Sequence, residues 1–296
     1  VLQNLKQLLY RILNYLIKKI LRGLKMDWSV SRISIPVFDL EKSRQFYNFL
    51  FNNDNEDYSK NIIKSDECII YGGDIQLRLY KLKAELKSFD KPQSRRTFPT
   101  ICIKNLDLAV KNLENNNISY FINKSKNQSS DYSIFIQEPG LNYLELIDFS
   151  SKGFIKNKYN SWNFHHINLE CYDVRSSVDF ISKNVKIKEG SWKAPKELGK
   201  VNINNNQLAI FNLDNNHSGI HINKADFTFS WRNNFIHNPT IGGHPAFNVS
   251  DIKGLINKLQ QHDIPLTDAK VYAMPNIHQV YLFDPSANII EINQNI

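Results

Sequence analysis

Eight histidines occur in this 296-residue chain, and all lie at position 165 or beyond: His165, His166, His217, His221, His237, His244, His262 and His278. Imidazole titrates near neutrality and, when neutral, is a common ligand for divalent metals. Carboxylates are the complementary oxygen donors, and Glu291 follows Tyr281 by ten residues near the end of the chain. Two neutral imidazoles and one carboxylate suit Fe(II), Mn(II), Ni(II) or Zn(II) and leave coordination positions open. A single histidine on a strand is ordinarily a surface or hydrogen-bonded core residue. What matters is whether the architecture brings several together. The three cysteines (Cys68, Cys102 and Cys171) are widely spaced with no C-x-x-C, which excludes a disulfide scaffold and a Cys-based zinc ribbon.

The elements that would position these residues are repeated. RISIPVFDL (32–40), FPTICIKNL (98–106), HINLECYDV (166–174) and HPAFNVSDI (244–252) each alternate as a half-buried strand does. Each carries Asp or Asn seven residues after its first position: Asp39, Asn105, Asp173 and Asp251. That residue is a helix N-cap candidate, and a helical pattern follows. The repeat starts are 66, 68 and 78 residues apart. A second phrase recurs: Glu138-Pro-Gly-Leu-Asn142 with Glu145 matches Asp284-Pro-Ser-Ala-Asn288 with Glu291. Both read as a turn leading into a strand that bears one Glu. The expected fold is α+β, with four βαβββ modules paired into two cupped-sheet domains behind an N-terminal helix. The domains are expected at 27–150 and 160–296, separated by the polar stretch 150–161.

The four units, the opening PVFDLEKSRQFY and the closing DPSANIIEI resemble the vicinal oxygen chelate superfamily, over about residues 30–296. That group contains glyoxalase I, extradiol dioxygenases, methylmalonyl-CoA epimerase and fosfomycin- and bleomycin-resistance proteins. The resemblance implies a divalent metal in the cleft of paired units, held by the first residue of each opening strand and by residues on the closing strands. In this sequence those positions are His166, His244 and Glu291, with His221 at the fourth position in GIHINK. Their successive intervals from His166 through His221 and His244 to Glu291 are 55, 23 and 47 residues. The equivalent first-half positions are Arg32 and Phe98, with Glu145 and, roughly, Gln76. Arg has no lone pair to donate and Phe has no donor atom, so the first domain is expected to bind no metal and to serve structure or a substrate entrance. His165 follows the opposite face of its strand. His217, His237 and His262 read as loop or helix-end residues, Glu170 as part of a strand face, and Arg95-Arg96 as a solvated pair.

Several functions remain open on the resemblance. The first is a glyoxalase- or epimerase-like isomerase or lyase with four ligands, including His221, in which Glu291 shuttles a proton beside a carbonyl. The second is an Fe(II) extradiol dioxygenase using only His166, His244 and Glu291, with His221 as a distal acid–base residue and Tyr281 in the active site. Such enzymes place a His about nine residues before that Tyr, where this chain has Tyr272, and a Gly where it has Ala287. Thiol transfer to a phosphonate ranks lowest, with Arg232, Lys224 and Lys270 as its only cationic candidates. The fourth reading is a metal-free binding protein. For it, Phe227, Phe229 and Trp231 would form the aromatic face of a strand, lining a pocket or simply packing as core. The isomerase or lyase reading leads narrowly, because of His221 and the missing upstream His.

The net charge of +8 comes from 37 basic against 29 acidic residues. Residues 1–25 hold Lys6, Arg11, Lys18, Lys19, Arg22 and Lys25 and no acid, which leaves the rest at +2. Their apolar residues follow helical spacing, so an amphipathic helix is expected. It could lie on an anionic membrane surface, direct the protein to an organelle or dock on the body; Met26 could also be the true start. The body has no basic stripe, so nucleic-acid binding is not expected. A small-molecule substrate, a monomer or homodimer, and a reducing, cytoplasmic compartment are expected.

Overall fold

The computed structural model describes residues 28–51, 62–63, 65–72, 75–82, 94–124, 132–148, 162–192, 204–214 and 217–296. The expected basic helix over 1–26 and the expected boundary at 150–161 lie outside the described residues. Among the described residues, no helix is long and apolar enough to cross a membrane.

The first half forms β1 (Trp28–Val37), β2 (Ile62–Ile63), β3 (Glu67–Gly72), β4 (Ile75–Lys81), β5 (Phe98–Ile103), β6 (Tyr120–Lys124), β7 (Tyr132–Gln137) and β8 (Tyr143–Asp148). Among the described residues they make one mixed sheet in the order β2-β3-β4-β1-β5-β8-β7-β6. The second half repeats the plan with β9 (Trp162–Cys171), β10 (Leu208–Asn212), β11 (Gly219–Lys224), β12 (His244–Val249), β13 (Leu266–Val271), β14 (Ile277–Phe283) and β15 (Ile289–Asn295). Their order is β10-β11-β9-β12-β15-β14-β13. Each sheet has an antiparallel pair of opening strands at its centre, β1 with β5 and β9 with β12, flanked by parallel closing strands. This is the α+β, paired-unit architecture read from the repeats.

Helices follow the four opening strands: α1 (Leu40–Leu50), α2 (Leu106–Asn115), α3 (Val174–Phe180, continued by a π-helical turn over Ile181–Val185) and, after the short α4 (Phe229–Asn233), α5 (Ile252–Gln261). The four expected caps are in place. Asp39 accepts from the Lys42 N–H, Asn105 from Leu108, Asp173 from Arg175 and Ser176, and Asp251 from Gly254. Each satisfies an otherwise orphaned donor, worth about 1 kcal/mol.

One apolar cluster runs through both halves. Phe51, at the end of α1, stacks on Trp162 at 4.0 Å, and both meet the Phe247 ring edge-on at 5.1 and 5.2 Å. The two recurring closing turns lock the halves reciprocally. Asn142 donates to the Glu170 carbonyl at 2.8 Å, and Asn288 donates to the Pro36 carbonyl at 2.8 Å. Tyr47 donates to the Asp284 carboxylate at 2.9 Å, and burial raises the pKa of that carboxyl. Ala287, which stands where the resemblance implies a Gly, adopts the left-handed conformation at φ 63°, as Leu141 does at φ 66° in the other half. Its main-chain N–H bonds the Asp284 carbonyl at 3.0 Å, which offsets the unfavourable backbone region.

Candidate metal centre

Three neighbouring strands of the second sheet converge on one point. His166 on β9 is level with Ala246 on β12, and Ala246 is level with Glu291 on β15. His244 lies two residues before Ala246, on the same face of its strand. Adjacent strands are about 4.8 Å apart. The small Ala246 therefore lets His166 and Glu291 lean toward each other from either side. His166, His244 and Glu291 each present a ligand atom, and these atoms lie within 4.8 Å of one another.

Glu291 Oε2 is 3.0 Å from His244 Nε2 and 3.5 Å from His166 Nε2. A divalent ion with donors at about 2.1 Å places neighbouring donor atoms about 3.0–3.5 Å apart. The three side chains therefore fit such an ion. All three are at most 2% exposed. Burial alone would raise the Glu291 carboxyl, but the two imidazoles override it and hold the group well below the usual carboxylate range. Burial lowers His244, opposed by Glu291, so its imidazole is neutral at pH 7. Both carry the charge state a metal ligand needs.

The surrounding shell orients these donors. His165 Nδ1 lies 2.8 Å from His166 Nδ1. The contact holds the His166 ring with its Nε2 on the side of Glu291. Gln279 Nε2 donates to Glu291 Oε1 at 3.0 Å and to the Tyr281 hydroxyl at 3.1 Å. Tyr281 is cross-strand from Glu291, and its ring stands edge-on to His244 at 5.8 Å. Burial, then the Glu291 charge, push its phenol well above the ordinary value, so it stays neutral. A cavity of about 370 Å³ opens over the cluster, lined among others by His221, Trp192, Tyr272 and Tyr281.

No family model and no curated protein sequence matches the chain. Solved structures do. Mn(II)-bound glyoxalase from Novosphingobium aromaticivorans superposes with a TM-score of 0.57 at 12% identity, covering 90% of this chain and 81% of that one. A catechol 2,3-dioxygenase gives 0.58 at 11% identity, over 90% and 87%. Homoprotocatechuate 2,3-dioxygenase from Arthrobacter globiformis gives 0.61 at 14% identity, over 90% and 79%. The chain has the vicinal oxygen chelate fold. At such identities the likeness extends to the fold alone, and function has to be argued from the site.

Within this vicinal oxygen chelate fold, His221 does not join the ligand cluster. The β11 residue level with His166 is Gly219, which has no side chain; His221 is level with Asn168. Its ring lies flat on His166, with centroids 3.8 Å apart and planes at 14°. Its Nε2 donates to the His217 carbonyl at 2.7 Å. Burial, then the neighbouring His166, lower its pKa well below the ordinary value. The neutral ring therefore keeps its lone pair on Nδ1.

The remaining histidines have other partners. His237 Nδ1 contacts the Thr267 hydroxyl at 2.9 Å, His217 packs on Trp192, His262 packs edge-on to Phe49, and His278 pairs with Asp268 at 2.6 Å. Two expectations need correction. Phe227, Phe229 and Trp231 do not form a strand face. Asp226 accepts from the Thr228 N–H and hydroxyl and pairs with Arg232, and these local bonds turn the chain into the one-turn α4. Phe229 lines the cavity, while Trp231 is 83% exposed. Arg96 is not simply solvated: it donates to the Gly140 carbonyl at 3.1 Å. Sequence reading also missed Gln279. Its only signal was its place two residues before Tyr281, on the face that meets Glu291.

In the first half, the equivalent strands carry Arg32, level with Thr100, which is level with Glu145. Arg32 Nε donates to Gln76 Oε1 at 3.1 Å, and its guanidinium lies 3.9 Å from Glu145. Thr100 and Ser133 donate to the same carboxylate at 2.5 and 2.9 Å. Phe98, equivalent to His244, packs among Tyr80, Phe135 and Tyr143.

Proposed function

We propose that the chain is a divalent-metal-dependent enzyme of extradiol-dioxygenase type, opening the ring of a small aromatic vicinal diol with O₂. The observation that carries this reading is the donor count. Two imidazoles and one carboxylate converge, while the fourth candidate, His221, is held off by the His217 carbonyl. A two-His-one-carboxylate face with open positions is the arrangement of non-haem Fe(II) oxygenases. When bound, a divalent ion such as Fe(II) supplies Lewis acidity toward the two diol oxygens and access to O₂ chemistry.

The chain's own groups then have separate tasks. His166, His244 and Glu291 hold the ion, and Gln279 fixes the orientation of Glu291. His221 lines the cavity and, being neutral with a free Nδ1 lone pair, can take a proton from a substrate hydroxyl and return it to the product. Tyr281 stays protonated beside the site and can donate a hydrogen bond. The aromatic walls from Trp192, Phe229 and Tyr272 suit a flat ring and exclude water from it. The C–C bond next to the diol breaks and both atoms of O₂ enter the product, so no external reductant is consumed.

The isomerase or lyase reading needs a four-ligand site, and the position of His221 weighs against it. The test is oxygen uptake after anaerobic loading with Fe(II), using catechols as substrates. One O₂ consumed per diol is expected. Tight Fe(II) binding with no uptake on any catechol would remove the dioxygenase reading and return the isomerase to first place.

A further inference from the structure

Outside the ligand cluster, Glu170 is a buried acid at the seam between the halves. Glu170 is on β9, four residues after His166, and is 5% exposed. A buried carboxylate needs compensating partners. Oε2 accepts the main-chain N–H of Gly242, and Oε1 lies 3.8 Å from the Arg96 guanidinium. Arg96 belongs to the first half. It precedes Phe98 by two residues, as Gly242 precedes His244 by two. Its guanidinium also donates to the Gly140 carbonyl at 3.1 Å and to Asn142 Oδ1 at 3.4 Å. Asn142 in turn donates to the Glu170 carbonyl. The first half thus grips Glu170 by both its side chain and its backbone.

The other end of this chain of contacts is a metal-ligand strand. Gly242 and Gly243 both adopt left-handed conformations, at φ 86° and 66°. A Cβ on Gly243 would come within 2.8 Å of the Asn168 carbonyl oxygen. The chain therefore presses onto β9 just before His244 begins β12, and both positions need glycine. A main-chain N–H held by a buried, charge-neutralised carboxylate is a firm anchor.

We propose that Glu170 is a positioning residue for the metal centre. By holding the Gly242 N–H, under the compensating charge of Arg96, it sets how His244 enters the cluster. The proposal rests on the metal reading of His166, His244 and Glu291. It assigns the first half a part in a site to which it gives no ligand: its cation lies against the anchoring acid and helps to hold it in place.

The test uses the full chain with Mn(II) as the probe, together with amide hydrogen exchange on metal-free protein. Glu170→Ala is expected to weaken Mn(II) binding by about 10- to 100-fold, the range for partners that orient ligands. Glu170→Gln, whose amide oxygen can accept the same N–H, is expected to stay within a few-fold of wild type. In metal-free protein the Gly242 amide should exchange slowly in wild type and Glu170→Gln, and fast in Glu170→Ala. Unchanged Mn(II) affinity in Glu170→Ala overturns the proposal, as does unchanged exchange at Gly242. A Gln variant as weak as Ala also overturns it. If Glu170→Ala does not fold, Arg96→Gln replaces it, with a smaller loss of affinity expected in the same direction and no loss counting against the proposal. If wild type itself binds no Mn(II), the metal reading fails separately, and the exchange data still decide whether Glu170 anchors the loop.

Discussion

The two halves place equivalent residues at equivalent sheet positions and fill them with opposite chemistry. In the second half, His166, His244 and Glu291 bring ligand atoms within 4.8 Å of one another. In the first half, Arg32 puts a guanidinium beside Glu145, and Phe98 closes the third side with a ring. Thr100 and Ser133 take up the carboxylate oxygens. A buried carboxylate at this crossing of strands needs a positive partner in both halves. One half builds that partner into its own side chain, and the other leaves donors arranged for an ion. The paired-unit backbone therefore supplies a place for a cation, and three side chains decide whether the protein provides it.

The contrast between the halves makes several measurable differences. The largest effect is expected from His221→Ala, with kcat in the proposed ring-opening of a diol falling by about 10²–10⁴-fold, as for loss of an acid–base group. Mn(II) affinity should move by only a few-fold, because His221 is not in the donor set. A comparable loss of metal would instead make His221 a ligand. Next is the conversion of one half toward the other. Arg32→His combined with Phe98→His should raise the bound Mn(II) from one to two per chain, read by metal analysis at saturating ion. The Phe98 change removes a packed ring and should lower thermal stability, by about 3 kcal/mol. A folded double variant that still binds a single ion would show that side-chain identity at these crossings is not sufficient.

The smallest effect is on pH-dependent stability of the metal-free protein. His221 and His244 have folded pKa values lowered from the ordinary 6.5, by burial first. Below pH 6.5 the unfolded chain takes up protons that the folded sites refuse, so stability falls as the pH drops from 6.5. Glu291, lowered from 4.5, adds a contribution that is present above pH 4.5 and lost as the pH falls through its folded value. Chemical denaturation at pH 7.5 and pH 5.5 should show the lower stability at pH 5.5. His244→Phe should reduce the difference.

Much of this was legible in the sequence for a definite reason. The repeats carry a cap at a constant interval, so Asp173 and Asp251 locate His166 and His244 at equivalent positions of their units, seven residues upstream of each cap. Glu291 followed because its turn repeats that of Glu145. The position of His221 was not legible. The hairpin between β10 and β11 sets the register of the closing strand, and that register puts Gly219, not His221, level with His166. The aromatic alternation at 227–231 gave a false strand because the side chain of Asp226 wins the local backbone donors. Arg96, Glu170 and Gly242 lie far apart in sequence, and of the three only Glu170 falls in a repeated segment, so only the fold brings them together.

The central claim is that His166, His244 and Glu291 form one metal site. Equilibrium titration of the purified full chain with Fe(II) or Mn(II), beside His244→Ala, tests it most directly. One ion per wild-type chain and a loss of at least 100-fold in affinity for the variant are expected. Wild type that takes up no ion, or a His244→Ala chain that binds as tightly as wild type, would contradict it.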